Sequence, residues 1–255
     1  MLDHAKDGGD VSRWRLTVEY DGTPFCGWQR QANGPSVQQA LEEAISGFCG
    51  EQVTVTGAGR TDTGVHAAGQ VAHVDLLREA TPATVRDALN HHLRPAPVAV
   101  LEAHRVAADF HARFSARARR YRYRILDRPA PPVLQRGFVW WTPRPLAVAR
   151  MAEAAALLVG RHDFTSFRST MCGAASPLKT IDALTVRRDG EEVVLDVRAR
   201  SFLHNQVRII AGTLARVGQG RWSAADVASA LAARDRTRAG PTAPPGGLCL
   251  MAVEY

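Results

Sequence analysis

The order in which two hydrophobic periodicities follow one another is the strongest constraint on how this chain can fold. Residues 14–20 alternate apolar and polar side chains, which predicts a strand. After Ser36, which can cap a helix, apolar residues recur at helical spacing as far as Phe48. Further strands are predicted near 52–56, 70–76 and 98–106, with a helix near 83–93. The order β-α-β-β-α-β is typical of ferredoxin-like and RNA-recognition domains.

The second half of the chain predicts the same order of elements, with insertions. Its predicted strands lie at 119–126, 180–187, 193–200 and 248–255, and its predicted helices at 146–158, 204–217 and 223–233. Ser223 and Asp226 have the spacing of a capping box. We therefore expect an α+β protein with two ferredoxin-like or RRM-like βαββαβ halves and mainly antiparallel sheets. The halves are an N-terminal α+β domain over 12–106 and a C-terminal α+β domain over 107–255.

Charge is divided unevenly between these halves. Residues 1–105 carry a net charge of −4 and residues 106–255 a net charge of +11, and the basic residues comprise 30 Arg and 2 Lys. Genomic base composition can favour arginine, but arginine also suits phosphate recognition and stacking on bases. The strongly basic charge of residues 106–255 predicts nucleic acid as a partner. We expect the two halves to flank a central RNA-binding cleft.

Composition also excludes several classes of protein. No stretch approaches the roughly 20 apolar residues of a membrane helix, and residues 1–10 are acidic with no apolar run. We therefore expect a cytoplasmic protein with no membrane partner and no secretory signal. The four cysteines lie far apart and lack the spacing of a zinc site, so structural, reduced thiols are expected.

A glycine-rich segment over 57–70 is the densest in polar groups. It lies between two predicted strands, where a loop can expose side chains on rigid supports. A dinucleotide fingerprint needs glycine where Asp62 stands, and a phosphate-binding loop needs a nearby lysine, so neither cofactor motif fits. What remains is Asp62 with Arg60 two residues before it. A turn in which Asp62 accepts backbone hydrogen bonds is the alternative interpretation.

An arginine-rich segment over 113–128 contains seven arginines, with Asp127 its only acid. In the predicted strand, Tyr121 and Tyr123 fall on one face and the arginines at 120, 122 and 124 on the other. One face could then stack on a base while the other meets phosphate. The alternative is that the tyrosines are core residues and the arginines are solvated. We expect this alternative for Tyr123 but not for Tyr121.

Arg208 stands at the start of an apolar helical pattern that runs to Val217. An arginine among such neighbours is partly buried and needs a carboxylate partner, for which Asp62 is the candidate. His66, His111 and His204 lack the spacing of metal ligands and are interpreted as structural hydrogen-bonding residues, so no metal site is predicted.

Taken together, these segments resemble the tRNA pseudouridine synthase A family. The matching motifs are Gly59-Arg60-Thr61-Asp62, Gly64-Val65-His66-Ala67, Asp109 to Ser115, Arg120-Tyr121-Arg122-Tyr123, Asp163 to Phe167, Val207-Arg208, Gly212-Thr213-Leu214, Gly240 to Pro244 and Gly247-Leu248. They occur in order from about residue 14 to the C-terminus. Thr63 and the loop 168–178 depart from the family pattern.

The resemblance implies an isomerase that converts uridine to pseudouridine at positions 38, 39 and 40 of the tRNA anticodon stem-loop. It implies a homodimer that uses no cofactor. By resemblance, Asp62 is the catalytic aspartate and Arg208 its basic partner, while Tyr121 stacks on the base and Arg60 helps displace it. The residues alone leave two rivals open: a non-catalytic RNA-binding module, and a nucleoside or glycoside hydrolase, which normally needs a second carboxylate.

Overall fold

The computed structural model describes residues 11–255, so the acidic segment at 1–10, with its predicted lack of a secretory signal, lies outside the described residues. The helices are α1 (Val37–Cys49), α2 (Pro82–His92), α3 (Val148–Ala156), α4 (Gln206–Gly218) and α5 (Ala224–Ala233). The strands are β1 (Ser12–Tyr20), β2 (Thr56–Gly57), β3 (His66–Leu76), β4 (Val98–Val106), β5 (Ala118–Leu126), β6 (Trp140–Trp141), β7 (Gly160–Asp163), β8 (Leu178–Asp189), β9 (Glu192–Ala199) and β10 (Leu248–Glu254).

The helix boundaries follow from capping residues that the sequence predicts. Ser36 caps α1 by accepting a hydrogen bond from the backbone N–H of Gln39, and the helix ends at Gly50 in the left-handed conformation. The predicted capping box is confirmed at α5: the Ser223 side chain accepts from the Asp226 backbone, and the Asp226 side chain accepts from the Ser223 backbone.

The strands form one sheet in the order β4-β1-β3-β10-β5-β9-β8-β7, with β2 paired to β3 and β6 paired to β5. The predicted α+β class and mainly antiparallel pairing are confirmed. The joining of the halves was not predicted: β10, at the end of the chain, lies parallel to β3 and antiparallel to β5. One continuous sheet therefore crosses the molecule. Within the first half the order is β4-β1-β3-β2, and within the second it is β10-β5-β9-β8.

Two large clusters of buried apolar residues lie along this sheet, beside a small one of Ala58, Val71 and Ala112. The first is built on β1, β3, β4, α1 and α2, and the second on β5, β8, β9, α3 and α4. Their membership crosses the boundary between the halves, because Leu250 of β10 packs in the first cluster and Val65 in the second. Tyr121 packs against both. The surface between the two halves is therefore part of the packed interior.

Some predicted strand boundaries are wrong, for local reasons. The strand predicted at 52–56 is reduced to Thr56–Gly57, because the Val55 N–H donates to the Glu42 side chain instead of a neighbouring strand. The strand predicted at 70–76 begins at His66, since pairing with β10 extends it through small residues that show no alternation. The short strands β6 and β7 were not predicted.

The helices and the cysteines of the described residues concern two further predictions. No helix within residues 11–255 is long and apolar enough to cross a membrane. Cys26, Cys49, Cys172 and Cys249 are unpaired and half-buried. Burial raises the pKa of the Cys249 thiol to about 11, so this side chain stays protonated and unreactive at neutral pH.

Because β10 joins the two halves, we expect them to unfold together. Leu250→Ala should lower the free energy of unfolding by about 2–5 kcal/mol, since Leu250 is fully buried and leaves a cavity. Chemical denaturation followed by circular dichroism and by tryptophan fluorescence should show a single shifted transition. Leu101→Ala, at an exposed leucine of β4, is the control and should change stability by less than about 0.5 kcal/mol. Two transitions, of which only one moves, would contradict this expectation.

Candidate active site

Asp62 lies in the loop between β2 and β3, and the residue before it is fixed by buried groups. The Thr61 carbonyl accepts from the Trp28 N–H at 3.0 Å. The hydroxyl of the Thr61 side chain lies 2.8 Å from the Tyr20 hydroxyl. Gly27 has φ +99°, and a Cβ there would stand 2.6 Å from the Thr61 carbonyl oxygen. Only glycine allows the chain at 27–28 to approach the loop this closely. The backbone beside Asp62 is therefore held against β1 and the segment that follows it.

The start of the same loop is held from the second half of the chain. Arg119 of β5 is buried, and its guanidinium donates to the carbonyls of Ala58 at 2.6 Å, Arg113 at 2.9 Å and Arg200 at 2.5 Å. The Gln70 side chain donates to the Gly59 carbonyl at 2.8 Å. Arg119 therefore joins three loops and is not free to meet phosphate.

The predicted contact between Asp62 and Arg208 is confirmed. Arg208 Nη1 donates to Asp62 Oδ2 at 3.2 Å and to Asn205 Oδ1 at 2.8 Å. The Arg208 side chain is 15% exposed and that of Asp62 is 27% exposed, so the carboxylate is open to solvent on one side and its partner is largely enclosed. The guanidinium and the carboxylate therefore form an ion pair between distant parts of the chain.

Residues 240–247 run across α4 and hold Arg208 in place. Arg208 Nε donates to the Ala243 carbonyl at 2.9 Å, and the Ala243 N–H donates to the Arg208 carbonyl at 3.1 Å. Gly212, one turn along the helix, allows this crossing, because a Cβ there would stand 1.9 Å from the Pro241 carbonyl oxygen. The segment 240–247 is thus a structural support for the site.

The two tyrosines of β5 have different environments. Tyr123 is fully buried and donates its hydroxyl proton to the Pro244 carbonyl at 2.7 Å, which confirms it as a core residue. Tyr121 is half-buried and meets Phe202 edge to face, with ring centroids 5.3 Å apart. Burial raises the pKa of Tyr121, and the negative charge of Asp62 raises it further. Its phenol is therefore neutral at physiological pH and stands within the electrostatic reach of the carboxylate.

The arginine face of β5 is paired with acids within the sheet, and its contact with phosphate stays a prediction. Three of its arginines form ion pairs with acids on neighbouring strands: Arg120 with Glu254, Arg122 with Asp196 and Arg124 with Glu192. Cross-strand pairing satisfies these charges within the sheet. Arg60, in contrast, is exposed on the Asp62 loop, and no ion pair within residues 11–255 includes it. It is free to contact a ligand.

The three histidines have separate surroundings. His66 Nδ1 accepts from the Gly22 N–H at 3.0 Å and Nε2 lies 2.9 Å from the Gly137 carbonyl, which confirms a structural role. His111 Nδ1 accepts backbone hydrogen bonds from the residues that follow it. His204 differs, because its Nε2 lies 3.3 Å from Asp62 Oδ1. Among the described residues no cluster of three His, Cys, Asp or Glu could hold a metal ion.

Sequence reasoning missed Asn205, which contacts Arg208 and adopts a left-handed conformation with φ 63°. An asparagine just before a helical pattern is the signal that could have found it, since asparagine tolerates this conformation better than most residues. Arg119 was missed because an arginine-rich segment does not show which of its members is buried.

The fold and the site define an α+β protein whose polar centre is one carboxylate, supported by arginine and flanked by tyrosine. The chain belongs to the tRNA pseudouridine synthase family, whose model matches residues 16–115 and 154–255. It is 62% identical over 245 residues to tRNA pseudouridine synthase A of Rhodospirillum centenum, covering 96% of this chain and 100% of that protein. It is 60% identical over 243 residues to the protein of the same name from Rhodospirillum rubrum, covering 95% of this chain and 87% of that protein.

Because Gly212 permits the crossing of 240–247, Gly212→Ala should displace that segment and with it the support of Arg208. Overpacking of this kind costs about 1–3 kcal/mol in the free energy of unfolding. We also expect turnover of tRNA to fall more than stability alone explains. Gly47→Ala is the matched control, since a Cβ at this helical glycine meets only the side chain of the exposed His92. Equal turnover by the two variants would contradict the proposal that residues 240–247 support Arg208.

Proposed function

We propose that this protein is an isomerase that converts uridine to pseudouridine at positions 38, 39 and 40 of the tRNA anticodon stem-loop. The observation that carries the proposal is the contact of Asp62 with Arg208 in a chain of this family. The reaction breaks the N1–C1′ bond, turns the uracil and joins C5 to C1′. One proton leaves C5 and one is gained at N1, so the reaction is redox-neutral. Its balance requires no cofactor and no metal.

Asp62 is the proposed catalytic residue. The carboxylate either attacks C1′ or removes a proton from the sugar, and both steps need its ionised form. Arg208 contacts the carboxylate at 3.2 Å, and it is itself held by Asn205 and Ala243. The partial exposure of Asp62 leaves room for a sugar to approach.

Tyr121 and Arg60 are the proposed substrate-binding residues. The target nucleotide must leave the stem, which costs a few kcal/mol. Stacking of the base on the Tyr121 ring supplies about 1–3 kcal/mol. Arg60, exposed on the Asp62 loop, is suited to enter the space that the base leaves.

The proposal also covers the architecture and assembly. The matching strand orders of the halves support two ferredoxin-like units, with domains at 12–106 and 107–255 on either side of a tRNA-binding cleft. We propose a cytoplasmic homodimer. The nearly full exposure of Leu134 and the 80% exposure of Val133 give the chain an apolar surface that a second copy could cover. Sedimentation velocity tests the dimer.

The mass of the product separates an isomerase from a hydrolase, and nucleoside separation distinguishes an isomerase from an RNA-binding module. A hydrolase releases uracil, and an RNA-binding module changes nothing, whereas isomerisation leaves the mass unchanged. A hydrolase would also need a second carboxylate, and Asp75, which pairs with Arg13 at 2.7 Å, lies at the end of β3 that is remote from the Asp62 loop. Mass spectrometry of tRNA before and after reaction, with nucleoside separation, should show pseudouridine at constant mass. Released uracil would contradict the proposal.

Asp62→Asn should abolish turnover while leaving the fold intact. The amide is nearly isosteric but can neither attack the sugar nor remove a proton. Binding of tRNA should persist, because affinity rests on phosphate contacts elsewhere. The measurements are nucleoside analysis and filter binding. Asp75→Asn is the matched control, since Asp75 is also paired with an arginine but lies outside the site, and it should keep wild-type turnover. An active Asp62→Asn protein would refute this role.

Tyr121→Ala should lose nearly all turnover, whereas Tyr123→Ala should act mainly through stability. Tyr121 is proposed to reach the base, while Tyr123 is fully buried and its removal leaves a cavity costing about 3–5 kcal/mol. Turnover per folded molecule, together with denaturation midpoints, separates the two effects. If Tyr123→Ala stays folded yet is inactive while Tyr121→Ala turns over normally, the roles are reversed.

A further inference from the structure

His204 contacts the carboxylate of Asp62 on the oxygen that Arg208 leaves open. Its Nε2 lies 3.3 Å from Oδ1, whereas Arg208 Nη1 lies 3.2 Å from Oδ2. The His204 side chain is 42% exposed. A histidine with a purely structural role is not expected to sit half in solvent against the carboxylate on which the reaction depends.

The backbone around His204 is fixed in an unusual way. The next residue, Asn205, has φ 63°, and a non-glycine residue in this left-handed conformation commonly marks a functional site. The His204 carbonyl accepts from the Ser169 N–H at 3.0 Å, so the loop 168–178 is hydrogen-bonded to the backbone of His204. The Leu203 N–H donates to the Gln206 side chain at 2.8 Å. The turn formed by residues 203–206 brings His204 and Arg208 to the carboxylate of Asp62.

Arg208 alone holds the carboxylate loosely. Its Nη1 is shared between Asp62 and Asn205, and the shorter of the two bonds, at 2.8 Å, goes to Asn205. A carboxylate held at one oxygen can still rotate about its Cβ–Cγ bond. A second donor on the other oxygen removes that freedom and fixes the direction in which the free lone pairs point.

We propose that His204 is a positioning residue for Asp62. In the free structure Nε2 and Oδ1 lie 3.3 Å apart without the alignment of a hydrogen bond. When substrate is bound, Nε2–H donates to Oδ1 while Arg208 donates to Oδ2, so that the carboxylate is presented to the sugar in one orientation. This inference rests on the proposed function of Asp62. The imidazole donates from Nε2 in the neutral and in the protonated form, so the role requires a donor rather than a charge. A glutamine amide can therefore replace it.

The test compares His204→Leu, His204→Gln and a matched control with the wild type, measuring kcat and KM on tRNA and the denaturation midpoint. His104→Leu is the control, because His104 is 51% exposed and its Nε2 lies 3.4 Å from Glu102, on β4 of the first half. We expect His204→Leu to lower kcat by roughly 10- to 100-fold with KM little changed, as when other orienting partners of catalytic groups are lost. His204→Gln should recover most of that loss, and His104→Leu should match the wild type.

Several results would overturn the inference. Wild-type kcat in His204→Leu would show that the contact does not matter. A loss of kcat that His204→Gln does not recover would show that the ring acts other than as a donor. A change confined to KM would make His204 an RNA contact instead. A wild-type protein that leaves tRNA uridine unchanged in the same assay would overturn the proposed function as well, which distinguishes that failure from the others.

Discussion

The contact between Asp62 and Arg208 joins residues 146 positions apart, and the arrangement of the site depends on it. Arg208 is fixed within the second half of the molecule, whereas the Asp62 loop is held by both halves, with Arg119 bound to the Ala58 carbonyl. Thr61 is tied to Trp28 and Tyr20, while Arg208 is tied to Ala243. A partly buried guanidinium without its carboxylate would be costly, and Arg208 Nη1 in turn donates to the carboxylate of Asp62 at 3.2 Å. Each group therefore needs the other in a defined place.

The sheet fixes where Asp62 and Arg208 lie relative to each other. Strand β10 lies between β3, which follows the Asp62 loop, and β5, which carries Tyr121. The segment that leads into β10 crosses α4 and binds Arg208 before the strand begins. The final 16 residues of the chain thus set the distance between the two parts of the site. This explains how a site assembled from distant segments is held together.

Local elements could be predicted from the sequence, because their signals are local. Alternation located β1, and Ser36 and the Ser223 box located the starts of two helices. The partners of long-range contacts could not be predicted in the same way. A short apolar strand such as β10 carries no mark of the neighbour it pairs with, and Arg119 looks like every other arginine of its segment although it alone is buried against three carbonyls. The pairing of Asp62 with Arg208 was predictable because a partly buried arginine demands an acid.

A double-mutant cycle tests the link between the two halves of the site most directly. The free energies of unfolding of Asp62→Asn, Arg208→Gln and the double variant would be measured by denaturation and compared with that of the wild type. If the two side chains stabilise each other as described, the double variant should differ from the sum of the single variants by about 0.5–3 kcal/mol. Effects that add within about 0.3 kcal/mol would show that the residues are neighbours without being coupled, and would contradict the account.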